Sequence, residues 1–197
     1  MDKKLLILET ALKLFNQHGT KAISTNHIAK EAGISPGNLY YHFKNKEAII
    51  YALYLQMQEE IGFEEAPLPI SLCELKNYCE YVATIWWRYR FFRKELMTLI
   101  EGDPTLAQKV ISDNRAQKKK LEQLIEHLHA QGYITEANQH LSFLIMMLSQ
   151  FWMPLHQLMG EPIEEKEALE VSEAVIMTLQ PFLTQKAFEE LHHCKGA

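Results

Sequence analysis

The chain has 197 residues, is 47% hydrophobic and 23% charged, and carries a net charge of −5 at pH 7. That balance belongs to a globular protein with a sizeable core and excludes a disordered or collagen-like chain. No apolar run reaches the roughly 18 residues that a membrane span needs, because Leu141–Met159 is interrupted by serine, glutamine, proline and histidine.

The opening MDKKLLILETALKLF has two lysines before an apolar stretch, as a signal peptide does. Glu9 and Lys13 interrupt it, however, and no small-residue cleavage site follows. A cytoplasmic location is expected. Cys73, Cys79 and Cys194 show no paired spacing, which argues against a disulfide framework and against a zinc site. Charge is uneven: residues 1–50 hold seven lysines against four acids, a surplus of three, which leaves −8 on the remainder. A basic head on an acidic body suits a polyanion that meets only the head.

Helical periodicity runs through nearly the whole chain, with no hairpin or alternating strand signal, so the fold class expected is all-α. Leu5, Leu8, Leu12 and Phe15 share one face of a first helix that stops near His18-Gly19. Ser24 or Thr25 caps a short second helix, with Ile28, Ala29 and Ala32 inward and Gly33 at its end. Ser35 caps a third, with Pro36 in the first turn, where its missing N–H costs nothing. Asn45 caps a fourth that runs towards Gly62, and GFEEAPLPI, residues 62–70, reads as a linker. Further helices are expected at about Ser71–Tyr89, Phe91–Glu101, Pro104–Gln131, Glu136–Met159 and Glu164–Leu183. Breaks fall at Asp103-Pro104, Gly132 and Gly160-Glu161-Pro162.

The third helix, within SPGNLYYHFKNKE, is the informative one. Leu39 and Phe43 share a direction on a helical wheel and form its buried side. Gly37, Asn38 and Tyr41 then point outward, with Tyr40 and His42 at the boundary. Exposed tyrosine gains little from water, so a partner surface explains this face better than solvent does. Two short helices joined by EAGIS form a helix-turn-helix unit whose second helix fits the major groove of DNA. Gly37 lets the backbone approach closely, and first-turn N–H groups point at a phosphate. Asn38 can read an adenine edge. Tyr40, Tyr41 and His42 can donate to phosphates or pack on sugars and thymine methyls, while Lys46 adds a cation and Thr25 a further phosphate contact. On spacing alone, a tyrosine-rich packing helix with a solvated Lys46 stays open as the plainer account.

Ile7–Leu53 strongly resembles the DNA-binding domain of the tetracycline-repressor (TetR) family of bacterial regulators. The matching residues are Ala11, Leu14-Phe15, Gly19, Ile28-Ala29, Ala32-Gly33, Ser35, Gly37, Leu39-Tyr40, His42-Phe43 and Lys46-Glu47, all in the first quarter of the chain. The resemblance implies DNA contacts from Thr25, Ser35, Pro36, Gly37, Asn38, Tyr40, Tyr41, His42 and Lys46. His27 departs from the acidic or basic side chain often found there. The resemblance also implies a homodimer on a near-palindromic operator, usually acting as a repressor released by a small ligand. Residues 1–50 would then be the helix-turn-helix domain and residues 51–197 a helical ligand-binding and dimerisation domain. Dimer symmetry asks for two half-sites about one helical turn apart, or a little more.

In the body, Tyr78, Val82, Trp86 and Tyr89 repeat at helical spacing, as do Phe143, Met147, Gln150 and Pro154, where Pro154 should kink its helix. The family's inducer pocket lies in this region, so these residues are candidate lining for a small apolar or aromatic inducer. Leu141, Leu144, Leu148, Trp152 and Leu155 form a further stripe, and Val171, Val175, Leu179 and Phe182 another. Two such helices from each chain would make a four-helix dimer interface; packed core explains any one of these residues as well. The basic runs RYRFFRK and RAQKKK read as a helix-end cluster and a solvated face.

An enzyme is not expected, nor a metal site or cofactor. Glycine loops and nucleophile elbows are missing from the sequence, and His192-His193-Cys194 falls in a tail expected to fray. The rival reading, a helical small-molecule-binding protein without DNA binding, leaves the outward Gly37, Asn38 and Tyr41 unexplained.

Overall fold

Short polar residues start the first four helices, and positive-φ glycines follow the ends of several. In α1 (Lys3–His18) the Asp2 carboxylate accepts the Lys4 N–H at 2.9 Å, and the helix stops at Gly19 with φ +76°. Ser24, rather than Thr25, caps α2 (Thr25–Glu31), and His27 Nδ1 reciprocates by accepting the Ser24 N–H. Ser35 Oγ accepts the Asn38 N–H at 3.2 Å at the start of α3 (Pro36–His42). Asn45 Oδ1 does the same for Ala48 at 2.9 Å in α4 (Lys46–Ile61). The chain continues as α5 (Leu72–Arg88), α6 (Arg90–Gly102), α7 (Pro104–Ala130), α8 (His140–Leu158), α9 (Glu165–Leu179), a 3-10 turn (Gln180–Phe182) and α10 (Gln185–His193). These elements come from a computed structural model that describes residues 2–161 and 163–194, side chains 167 and 168 excepted. Pro162, expected as part of a break, lies outside the described residues. Among the described residues there is no strand beyond one bridge between Ile134 and Leu183, and no helix is long and apolar enough to cross a membrane.

The chain forms two compact units, residues 1–61 with 89–110 and residues 62–88 with 111–197. The expected boundary at residue 50 falls inside α4 and marks no break.

In the first unit α1 packs on α2 and α4, and α2 on α3. The aromatics of the RYRFFRK run are core: the Phe91 ring lies 5.3 Å from that of Phe15 and 4.1 Å from that of Phe92, which in turn meets Tyr54 at 5.6 Å. Such rings gain from tilted and edge-on packing as well as from burial. The segment between α1 and α2 is gripped from two sides. The Glu95 carboxylate on α6 accepts the Thr20 N–H, at 3.2 Å to each oxygen, and the Thr20 hydroxyl. Lys46 Nζ donates to the carbonyls of Thr20 at 2.6 Å and Ile23 at 3.0 Å. A Cβ at position 19 would lie 2.9 Å from Glu95 Oε1, so a side chain there would push the carboxylate aside as well as strain a backbone at φ +76°.

The core of the second unit draws on five helices, with Leu72, Leu75, Leu124, Ile125, Leu128 and Ile145 among its buried members. The 62–70 segment is no free linker. Lys120 Nζ donates to the Glu64 and Ala66 carbonyls, His127 Nε2 lies 3.0 Å from the Pro69 carbonyl, and the Tyr133 hydroxyl donates to that of Ile70. Helix α8 begins four residues later than expected, where Asn138 Oδ1 accepts the His140 N–H at 3.0 Å; ahead of it Thr135 N–H bonds the Phe182 carbonyl and Thr184 N–H bonds that of Tyr133. These bonds hold the 133–135 backbone away from a helix. Pro181, unable to donate, turns the end of α9 into the 3-10 turn. Helix α8 itself runs through Pro154 to Leu158.

Two expectations need correction. Cys73 and Cys194 are joined as a disulfide across 121 residues, because α10 returns to the N-terminus of α5 and does not fray. Sequence spacing carries no trace of that return. Leu141, Val171, Val175 and Leu179, expected at a dimer interface, are buried within the chain, and Leu141, Val175 and Leu179 belong to its core cluster. Leu148 and Phe182 pack partly against the same cluster, and Trp152 is half-buried with its ring 5.1 Å from that of His156.

Lys46→Met leaves the Thr20 and Ile23 carbonyls without their charged donor, so the unfolding free energy should fall by about 1–3 kcal/mol. Exposed Lys44→Met should leave it unchanged. Urea titration of the two variants decides the matter: equal midpoints would show that the Lys46 bonds contribute nothing.

Candidate nucleic-acid interface

Helix α3 is anchored by Leu39, fully buried, and by Phe43 just past its end. With that side committed, the opposite side is solvent-facing. Tyr41 is 85% exposed and Tyr40 50%, Pro36 and Gly37 are exposed, and Asn38 and His42 are half-buried. A Cβ added at Gly37 would meet nothing within 4 Å. Nothing inside the chain therefore requires glycine there, and the bare backbone is accessible to an outside partner.

Each expected residue has a distinct local role. Ser35 Oγ is committed to the Asn38 N–H, so its side chain fixes the helix start. Thr25 Oγ1 lies 3.0 Å from the Tyr40 hydroxyl, which ties the first turn of α2 to α3 and aims the Tyr40 ring. The Tyr41 and His42 rings meet edge-on at 5.1 Å. Lys46 differs from expectation: it turns back beneath the 20–23 segment and is no free surface cation. His27 serves as the capping partner of Ser24.

An open groove of about 320 Å³ runs beside α3, lined by Lys21, Ser24, Thr25, Tyr40, Lys44 and Asn45 among others. Lys21 and Lys44 are exposed, so the groove carries the free positive charge that Lys46 does not. Sequence reasoning counted both lysines in the net charge without assigning them to the site. It missed Glu95 and Thr20 altogether, because their pairing spans 75 residues.

The residues expected to line a pocket differ in burial and fall in both units. Val82 and Trp86 are buried on α5, and Tyr78 on the same helix is half-buried with its ring 6.2 Å from that of Phe63. Burial, and secondarily neighbouring Cys79, pushes the Tyr78 phenol well above its ordinary range. Gln150 is half-buried and donates to Asn114 Oδ1 at 3.2 Å. Tyr89 is fully buried in the first unit and donates to Glu60 Oε1 at 2.7 Å. Phe143 and Met147 lie on the outer face of α8, 59% and 45% exposed, beside Leu144, Phe151 and Leu155. Among the described residues no group of three or more His, Cys, Asp or Glu could hold a metal ion.

Residues 7–53 match the family described as bacterial regulatory proteins of the tetR family, and residues 54–191 match the one described as a bacterial transcriptional repressor. A solved TetR-family transcriptional regulator from Marinobacter aquaeolei VT8 superposes with a TM-score of 0.88 at 30% identity, covering 98% of this chain and 96% of that one. The SmeT–triclosan complex superposes at 0.69 over 100% and 99% of the two chains, but at 16% identity that likeness is one of fold. Among curated relatives, the transcriptional regulator UidR of Escherichia coli K12 is 47% identical over 53 residues, and the chain spans only 27% of that relative's length. With matches that together run from residue 7 to residue 191, the chain belongs to the TetR family of bacterial transcriptional regulators.

Proposed function

We propose that the protein binds a near-palindromic DNA operator as a homodimer, represses transcription there, and is released by a small apolar or aromatic inducer. The observation that carries the reading is the outer face of α3, where Gly37, Tyr40 and Tyr41 are exposed and Asn38 is half-buried, beside a groove bearing Lys21 and Lys44. Exposed tyrosines and a bare backbone suit a DNA groove, and the lysines suit its phosphates. Thr25, Ser35, Pro36, His42 and Lys46 complete the proposed interface, Ser35 and Lys46 by holding its backbone in place.

A stripe of Phe143, Leu144, Met147, Phe151 and Leu155 on α8 supports the homodimer, since an apolar surface of that kind marks an association site. Leu144 and Leu155 remain from the seam expected in sequence, and Phe143 and Met147 move to it from the pocket set. An isologous pairing puts the same stripe from each protomer together. For the inducer, Tyr78, Val82 and Trp86 on α5 are the retained lining candidates. The triclosan held by SmeT supports a small-molecule ligand for this fold.

The first test is a gel-shift on DNA flanking the protein's own gene, where specific retardation is expected; tight ligand uptake without it would favour a small-molecule-binding protein instead. Gly37→Ala should leave stability unchanged or raise it by up to about 1 kcal/mol, while weakening retardation sharply. Parent-like binding by that variant would remove α3 from the interface. Lys44→Ala should reduce the slope of log affinity against log salt by about one. Phe151→Glu should sediment as a monomer and lose operator binding together with dimerisation; an intact dimer would exclude the α8 stripe. Apolar aromatic compounds should quench tryptophan fluorescence and weaken retardation in the same concentration range, and failure of the whole class would discard the inducer assignment.

A further inference from the structure

Three cysteines sit in the second unit in two different situations. Cys79 packs against the core, and burial pushes its thiol up to about 12, so it is inert at neutral pH. Cys73 and Cys194 are both only half-buried, and they are joined. Their sulfurs meet through more than the bond itself. Glu190 Oε1 on α10 accepts the N–H groups of Leu72 and Cys73 at 2.7 and 3.3 Å, which docks α10 on the first turn of α5. The Glu190 carbonyl accepts the Cys194 N–H at 3.1 Å and also lies 3.3 Å from Cys194 Sγ, so the second sulfur is set by the same residue. Ala187, Phe188 and Leu191 add apolar packing of α10 on the core. None of these contacts is made by the S–S bond itself, so each is available to hold α10 on α5 when the disulfide opens. The two thiols then stay close together, and closure becomes a reaction between groups already in place.

We propose that Cys73 and Cys194 form a reversible thiol-oxidation site that exchanges with low-molecular-weight disulfides of the glutathione type and clips α10 to α5. The choice of a reversible role rests on the regulator reading above, because a protein that works on the chromosome lies in a compartment kept reducing, where lasting disulfides are rare. In closure, one of the two cysteine thiolates attacks one sulfur of the small disulfide, forms a mixed disulfide and expels one small thiolate. The other cysteine thiolate then attacks the protein sulfur of that mixed disulfide, forms the bond within the chain and expels the second. Two protein thiols are oxidised, one small disulfide is reduced to two thiols, and the two cysteine protons pass through solvent to the departing thiolates. Reduction runs the same steps backwards. Cys79 takes no part: six positions along α5 from Cys73, it lies on a different face of the helix.

The test uses the whole chain equilibrated in buffers of defined oxidised-to-reduced glutathione ratio, then alkylated and examined by intact mass and by non-reducing peptide mapping. Expected are a species lighter by two hydrogens, a linked peptide pair containing Cys73 and Cys194, and a Cys79 that is alkylated only after unfolding. Because the closed loop is long, the oxidised form should melt on the order of 10 °C higher than the reduced one. Cys194→Ser should abolish that difference and Cys79→Ser should keep it. Accumulating single glutathione adducts, a link through Cys79 or equal melting of the two forms would each overturn the proposal. None of these readouts involves DNA, so their failure would leave the regulator reading standing, and absence of DNA binding would leave the thiol pair standing.

Discussion

The surface proposed to face DNA depends on a grip on one short piece of backbone. Helices α2 and α3 have seven residues each, too few to be stable alone. Their placement follows from the segment that feeds them, residues 19–23. Glu95 holds the N–H side of that segment at Thr20, and Lys46 holds the carbonyl side at Thr20 and Ile23. An anion on an amide hydrogen and a cation on a carbonyl oxygen are each the charge that the group's dipole favours. Charge-assisted bonds of this kind are shorter and stronger than those between neutral groups. The two partners come from α4 and α6, so the grip couples the helix-turn-helix to the longer helices of its own unit.

The second unit shows how one sequence signal resolves into two outcomes. Helix α8 is apolar nearly all round, and such a helix needs a neighbour on more than one side. Its inner face carries Leu141, Ile145 and Met153 with the small residues Ser142 and Ser149, whose hydroxyls bond the Gln139 and Met146 carbonyls of the same helix. Its outer face carries bulky Phe143, Met147 and Phe151. Helix α9 packs inward on α5 and α8, which is why Val171, Val175 and Leu179 are core while Met177 on the same helix stays exposed.

Most helices and several caps were legible in the sequence because both are local: Ser35, Asn45 and the glycines act within a few residues of their own position, and the second cap was narrowed to Ser24 or Thr25. The α3 face was legible for the same reason, since Leu39 and Phe43 decide by spacing alone which side is left outward. What could not be read depends on distant partners. The role of Lys46 is set by carbonyls 23 and 26 residues away, the disulfide by a helix 121 residues on, and the sorting of α8 into faces by where α9 lies. Periodicity identifies an apolar stripe but not its neighbour, so Phe143 and Val171 looked alike in sequence and differ in the fold.

The outer residues of α3 touch little of the scaffold that holds them. A seven-residue helix pinned by one leucine from below leaves Gly37 and Tyr41 to vary without disturbing the core. Surface positions of that kind tolerate exchange at small cost in stability. If α3 reads DNA as proposed, exchange at a few such sites can change the nucleotide preference with no repacking, so the address and the machinery that presents it are separable.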